Sequence, residues 1–164
     1  MSNYEKLEGV CRRALPGEAK RIFEAMKPYY HESRYSKNLT LDPTTAIATF
    51  DYAFNHDMID AFVAEADGEV AGIIITVYNP SFFVGYEGDI DFFAVLKEYR
   101  GTAIGRELVK MAVAAAELRG ANVLYCGCHS GFDDGGKNVK TYENLFGKVG
   151  FEVNGSNMQL DLKG

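Results

Sequence analysis

No run of Lys and Arg exceeds two adjacent residues, and the net charge is −6. A protein that grips nucleic acid through its phosphates needs a basic face, so nucleic acid is not expected among the partners. No apolar stretch approaches the roughly 18–20 residues of a membrane-spanning helix, so no membrane partner is expected either. The first ten residues, MSNYEKLEGV, lack the apolar core of a secretory signal, which points to a cytoplasmic site. Cysteine is scarce. Cys11, Cys126 and Cys128 form an odd set without framework spacing, as expected of reduced, buried thiols. Cys126-Gly127-Cys128-His129 puts two thiols on one side of a strand, but no second ligand pair stands elsewhere, and no metal is expected.

What is present is enough for one folded unit. The chain has 164 residues, 47% hydrophobic and 13% aromatic, which suits a single domain over 1–164 with a real core. Val10–Ala14 reads as a first strand. Pro16-Gly17-Glu18 opens a helix with Ala19, Ile22, Phe23, Met26 and Tyr30 as its apolar stripe, limited by Pro28. Residues 29–37 read as an irregular polar and aromatic stretch. Asp42-Pro43 caps a second helix to Asn55. Asp60–Ala66 and Val70–Tyr78 are strands joined by the tight Asp67-Gly68 turn. Residues 79–88 form a loop or an extended hairpin tip, whose aromatics suit packing over the core, an acceptor pocket or a dimer contact. Asn122–Cys128 has the composition of a buried parallel strand. Asn138–Val149 is a last helix, and Phe151–Val153 and Met158–Leu162 are a final pair of strands.

The stretch from Asp89 to Leu118 organises the rest. Ile90–Leu96 is aromatic and β-branched, as a strand requires. Ile104, Leu108, Met111, Ala115 and Leu118 repeat at helical spacing. Between them, Arg100-Gly101-Thr102-Ala103-Ile104-Gly105 is a short loop that enters a helix. Such a loop leaves backbone N–H groups unpaired at the positive end of the helix dipole, and a phosphate or diphosphate binds well there. A plain turn between strand and helix is the alternative, since short glycine patterns are weak signals. Residues two apart on a strand share a face, so alternation puts Asp89, Asp91, Phe93 and Val95 together.

The string VLKEYRGTAIGRELV resembles the central motif of the GNAT superfamily of N-acetyltransferases, in which Arg or Gln begins an x-x-Gly-x-Gly/Ala loop. Ala103 stands at the first motif glycine. The element order extends the resemblance over most of the chain. It implies an α/β fold with a mixed, mostly antiparallel sheet of about six or seven strands and about four helices, in the order βααβββαβαββ. It implies acetyl-CoA as acyl donor and a primary amine of a small molecule or protein as acceptor, with a homodimer among the possible assemblies. The diphosphate would lie on Arg100, Gly101, Thr102, Ala103, Ile104, Gly105 and Arg106, and the thioester along Phe93, Ala94 and Val95, with the Val95 N–H on the carbonyl.

Deprotonation of the amine is assigned first to Asp89, at the position where several GNAT enzymes keep a glutamate, and then to Asp91. The family often protonates the leaving thiolate with a tyrosine in a Leu-Tyr-x-x-x-Gly-Phe pattern. Here Leu145-Phe146-Gly147 puts phenylalanine there, so Tyr142, one turn earlier, is the candidate acid. Tyr30, His31, Arg34, Tyr35 and His129 are candidates for acceptor contact. The acidic balance suits a cationic acceptor. The competing class is a non-catalytic CoA-binding or partner-binding module.

Overall fold

The computed structural model describes residues 10–33, 35–80, 85–127 and 137–154. In chain order its elements are β1 (Val10–Arg13), α1 (Ala19–Glu32), α2 (Tyr35–Asn38), α3 (Pro43–Asn55), β2 (Ile59–Ala66), β3 (Glu69–Pro80), β4 (Tyr86–Val95), a 3-10 turn (Lys97–Tyr99), α4 (Ile104–Leu118), β5 (Val123–Cys126) and α5 (Lys137–Gly147).

The sheet is built outward from the β2–β3 hairpin. Asp67 and Gly68 both take left-handed backbone angles, which matches the twist of the strands they join. Both strands are buried along most of their length because helices cover both faces. The strand order is β1-β2-β3-β4-β5, antiparallel throughout except for the parallel β4–β5 pair. α1 and α3 cover one face over Val63, Ile73, Ile75 and Ala94. α4 and α5 cover the other over Ala64, Ile74, Ile90 and Val95. Among the described residues the strands number five, against the six or seven expected.

α3 starts as its sequence dictates. Asp42 accepts from the Thr45 amide at 2.9 Å, and Pro43 sits where its missing N–H costs nothing. α1 departs from expectation by running through Pro28 to Glu32. The stripe Ile22, Phe23, Met26 and Tyr29 holds it to the sheet, and Pro28 lies on the exposed side, so packing outweighs the lost hydrogen bond. The inward residue of the last turn is therefore Tyr29, not Tyr30. The segment expected to be irregular then forms the short α2.

Of the two alternatives for residues 79–88, the described residues form the extended hairpin. Asn79 pairs with Glu87 and Pro80 with Tyr86, so β4 begins at Tyr86; Phe82 and Phe83 lie outside the described residues. β5 is shorter and less buried than its composition suggested, with Tyr125 at the surface. Phe151–Val153 is not a strand. The Phe151 amide donates to the Phe146 carbonyl at 3.1 Å and its ring packs edge-on against Phe146, so the segment closes α5 instead of joining the sheet. Met158–Leu162 lies outside the described residues. No described helix is long and apolar enough to cross a membrane.

Candidate active site

β4 carries a register shift that alternation along the sequence does not show. Ile75 faces Phe92, whereas Thr76 faces Ile90, so Asp91 is an extra residue in the strand. The bulge reverses the parity of everything before it. Asp89, opposite Val77, lies on the face of Phe92 and Ala94, under α1 and α3. Phe93 and Val95 lie on the other face with Ile74 and Ile90. The expectation that Asp89, Asp91, Phe93 and Val95 share a face is thus corrected, and the two carboxylates straddle the bulge. Asp89 reaches solvent, yet desolvation and then the Asp91 carboxylate push it above the ordinary carboxylate range.

Pairing between β4 and β5 stops at the bulge. Its last partners are Ile90 and Cys126, although β4 continues to Val95. The Leu96 amide donates to the Ala71 carbonyl at 2.9 Å. By the alternation of an antiparallel ladder, the backbone groups of Val95 and Phe93 point away from β3 toward this opening. Arg100 Nε donates to the Val95 carbonyl at 2.9 Å, which leaves the Val95 N–H as the outward donor at the end of the strand. Ala94 is fully buried against β3 and contributes from the opposite side of the ladder.

The turn into α4 is adjacent. Within it the Thr102 amide donates to the Tyr99 carbonyl and the Ile104 amide to the Thr102 hydroxyl, both at 3.3 Å. Among the described residues the amides of Gly101, Ala103, Gly105 and Arg106 have no protein acceptor. They gather at the positive end of a 15-residue helix. Gly101 has φ +80, a conformation that a side chain resists, whereas Ala103 has φ −67 and is unstrained. A methyl at Ala103 therefore does not distort the loop. Gly105 allows close packing: a Cβ there meets Leu145 Cδ2 at 3.3 Å and the Phe93 and Val95 side chains at 3.6 Å.

Arg100 behaves differently from expectation. Its guanidinium pairs with Glu32 at the end of α1 at 2.9 Å while its Nε holds Val95. It thereby ties α1 to the end of β4. Arg106 lies 3.5 Å from Glu107 and is exposed.

Two tyrosines close the opening. Phe146, at the position of the family's hydroxyl, is buried against Phe93 and Phe151. Tyr142 stands edge-on to Phe93 at 5.6 Å. Its hydroxyl shares a hydrogen bond with that of Tyr29 on α1. Tyr29 belongs to the core under α1 and Tyr142 packs against the core under α4, so the hydroxyls meet around the unpaired edge of β4. Burial raises the Tyr29 pKa, with Tyr142 adding to it, so Tyr29 keeps its proton and is available as a donor to the Tyr142 oxygen. Tyr29 lies in α1 and not in an irregular stretch from residue 29, because the helix runs through Pro28. The spacing Ile22, Met26, Tyr29 is the signal that identifies it as inward.

Beside this opening, α1, α2 and α3 enclose a cavity of about 490 Å³ that reaches β4 at Phe92. The Tyr30 and Tyr35 rings line it. The Tyr30 hydroxyl is already engaged, donating to the Leu39 carbonyl and accepting from the Leu41 amide. His31 is exposed, edge-on to Tyr30, and does not line the cavity. Arg34 and His129 lie outside the described residues.

Comparison with known proteins shows the same fold. The model of the acetyltransferase (GNAT) family matches residues 19–147. No curated protein matches the sequence. A transcriptional regulator from Bacillus halodurans C-125 has a similar structure, with TM-score 0.76 and 16% identity over 94% of this chain and 100% of that one. A ribosomal-protein-alanine N-acetyltransferase from Brucella melitensis biovar Abortus 2308 gives TM-score 0.66 and 17% identity over 93% and 98%. An aminoglycoside acetyltransferase from an uncultured soil sample, solved with sisomicin, gives 0.68 and 14% over 94% and 96%.

Proposed function

The chain belongs to the acetyltransferase (GNAT) family, and from that premise we propose that it moves an acetyl group from acetyl-CoA to a primary amine by direct attack on the thioester. The observation that carries the reading is the adjacency of two features. The edge of β4 is unpaired from Asp91 to Val95 among the described residues, and the turn that follows has four amides without protein acceptors.

These residues fit the donor. The amides of Gly101, Ala103, Gly105 and Arg106 suit a diphosphate, and the outward backbone of Phe93 and Val95 suits an extended amide-bearing arm. Acetyl-CoA supplies the activated acyl group. The chain supplies orientation and proton transfer. The Val95 N–H is placed to donate to the carbonyl oxygen as negative charge grows there. Asp89, with its raised pKa, takes the proton that the amine must lose before its nitrogen can attack. As the carbon–sulfur bond breaks, the Tyr142 O–H gives a proton to sulfur, with Tyr29 donating to the Tyr142 oxygen to fix its orientation. Arg100 serves as a strut between Glu32 and Val95 rather than as a direct diphosphate ligand.

The buried Phe146 favours a second reading, a CoA-binding module without turnover. Two assays decide. Acetyl-CoA at about a hundred times its Kd stabilises the native state by about 2.7 kcal/mol, whereas NAD and ATP leave the melting temperature in place. Release of free thiol on adding amines then distinguishes enzyme from binder. Absence of an acetyl-CoA shift contradicts both readings.

A further inference from the structure

We propose that the cavity between α1, α2 and α3 selects, as acetyl acceptor, a small primary amine whose body is a ring or branched hydrocarbon without a second charge. This inference rests on the acetyl-transfer reading above. The cavity's volume of about 490 Å³ suits a small organic molecule. Its walls are set by Phe23, Met26, Leu39, Leu41, Phe50 and Phe92. Two charged side chains line it among the described residues, and both are engaged. Lys27 pairs with Glu24 at 2.6 Å and lies over the Phe23 ring. Asp42 accepts from the amide and hydroxyl of Thr45 at the start of α3. Ser33 Oγ is bonded to the Tyr30 carbonyl at 2.7 Å.

A polyamine or aminoglycoside keeps several ammonium groups charged, and such walls offer them little in return for lost water. The net charge of −6 thus does not describe this cavity. An apolar ring gains from it. Tyr29 and Phe50 already meet Phe92 edge-to-face, at 5.9 and 6.1 Å, and a further ring can join in the same geometry. The cavity also leads to the chemistry. Phe92 is next to Phe93 on the unpaired edge, and Tyr29 lines the cavity while bonding Tyr142. Asp89 shares the Phe92 face of β4, so the proposed base stands on the strand face that the cavity adjoins.

The test compares 2-phenylethylamine, spermidine and kanamycin as acceptors by thiol release, with the acetyl-CoA melting shift measured in parallel. The expected kcat/KM for phenylethylamine exceeds that for spermidine by at least about tenfold, the scale at which an apolar pocket discriminates. Ala46→Glu, which adds a carboxylate to the lining, is expected to raise KM for phenylethylamine by about tenfold or more on the same scale and to keep the acetyl-CoA shift. Ala46→Gln is expected to fall between. An intact acetyl-CoA shift with spermidine preferred, or with no phenylethylamine turnover, overturns the inference and leaves the donor reading standing. An unchanged acceptor preference in Ala46→Glu overturns it as well. No acetyl-CoA shift overturns the donor reading, and the inference with it. If Ala46→Glu fails to fold, the wild-type panel decides alone.

Discussion

At the scale of single residues, the proposed chemistry rests on Asp89, Tyr142 and Tyr29. Removing a general base typically costs about 10²–10⁴ in rate, so Asp89→Asn is expected to lower kcat/KM by that order. Because the Asp89 pKa is raised, wild-type kcat/KM should climb with pH through a value above the ordinary carboxylate range, and the variant should lose that limb. Stability separates this role from a structural one. A raised native pKa means the folded state binds the proton more tightly than the unfolded chain. The charged form at neutral pH therefore opposes folding, and the melting temperature of Asp89→Asn should not fall. Tyr142→Phe is expected to lower kcat by about tenfold to a hundredfold, the low end for a general acid, because a thiolate leaves readily. Tyr29→Phe should have a smaller effect of the same kind, and steady-state kinetics with one amine checks both.

At the scale of elements, the proposed reaction relies on the turn into α4 and the bulge in β4 for positioning. Gly101→Ala must adopt φ near +80, which costs roughly 1–2 kcal/mol and weakens acetyl-CoA binding, whereas Ala103→Gly should leave binding nearly unchanged. Calorimetric titration of both variants checks the contrast. The turn was legible in the sequence because small residues between a β-branched run and a helical repeat have few other uses. The bulge was not. A single extra residue changes parity without changing composition, so DIDFFAV reads as plain alternation until the partner strand shows Thr76 opposite Ile90. The Tyr29–Tyr142 contact was equally out of reach, since it joins α1 to α5, 113 positions apart, and depends on where β5 stops pairing. The course of α1 through Pro28 escaped because local propensity is overruled by packing.

At the scale of the whole molecule, a charge cluster around the buried Asp60 joins β1 and β2 to the end of α4. Asp60 is 1% exposed, between Arg13 at 2.6 Å and Arg119 at 2.7 Å. Burial pushes its pKa up, but the hydrogen bonds from Arg119 and Arg13 outweigh burial and hold it below the usual range. Its contribution is therefore present above the unfolded carboxylate value of about 3.9 and is lost as pH falls through the depressed native value. Asp60→Asn is expected to cost on the order of 2 kcal/mol at neutral pH by denaturant unfolding, less than the ~3–5 kcal/mol of a fully enclosed pair, because Arg13 and Arg119 reach solvent. That loss should shrink as the solution is made acidic. Most of the elements were readable from hydrophobic periods, and the mixed sheet was implied by the resemblance to the GNAT superfamily, while this cluster was not legible, since its members are spread from residue 13 to residue 119.

The most direct measurement is an amide-resolved NMR titration of the protein with acetyl-CoA. The backbone resonances of Gly101, Ala103, Gly105 and Arg106 are predicted to shift together and saturate, with those of Phe93 and Val95 moving at the same ligand concentration. Saturable binding that leaves the four turn amides unmoved contradicts the placement of the donor.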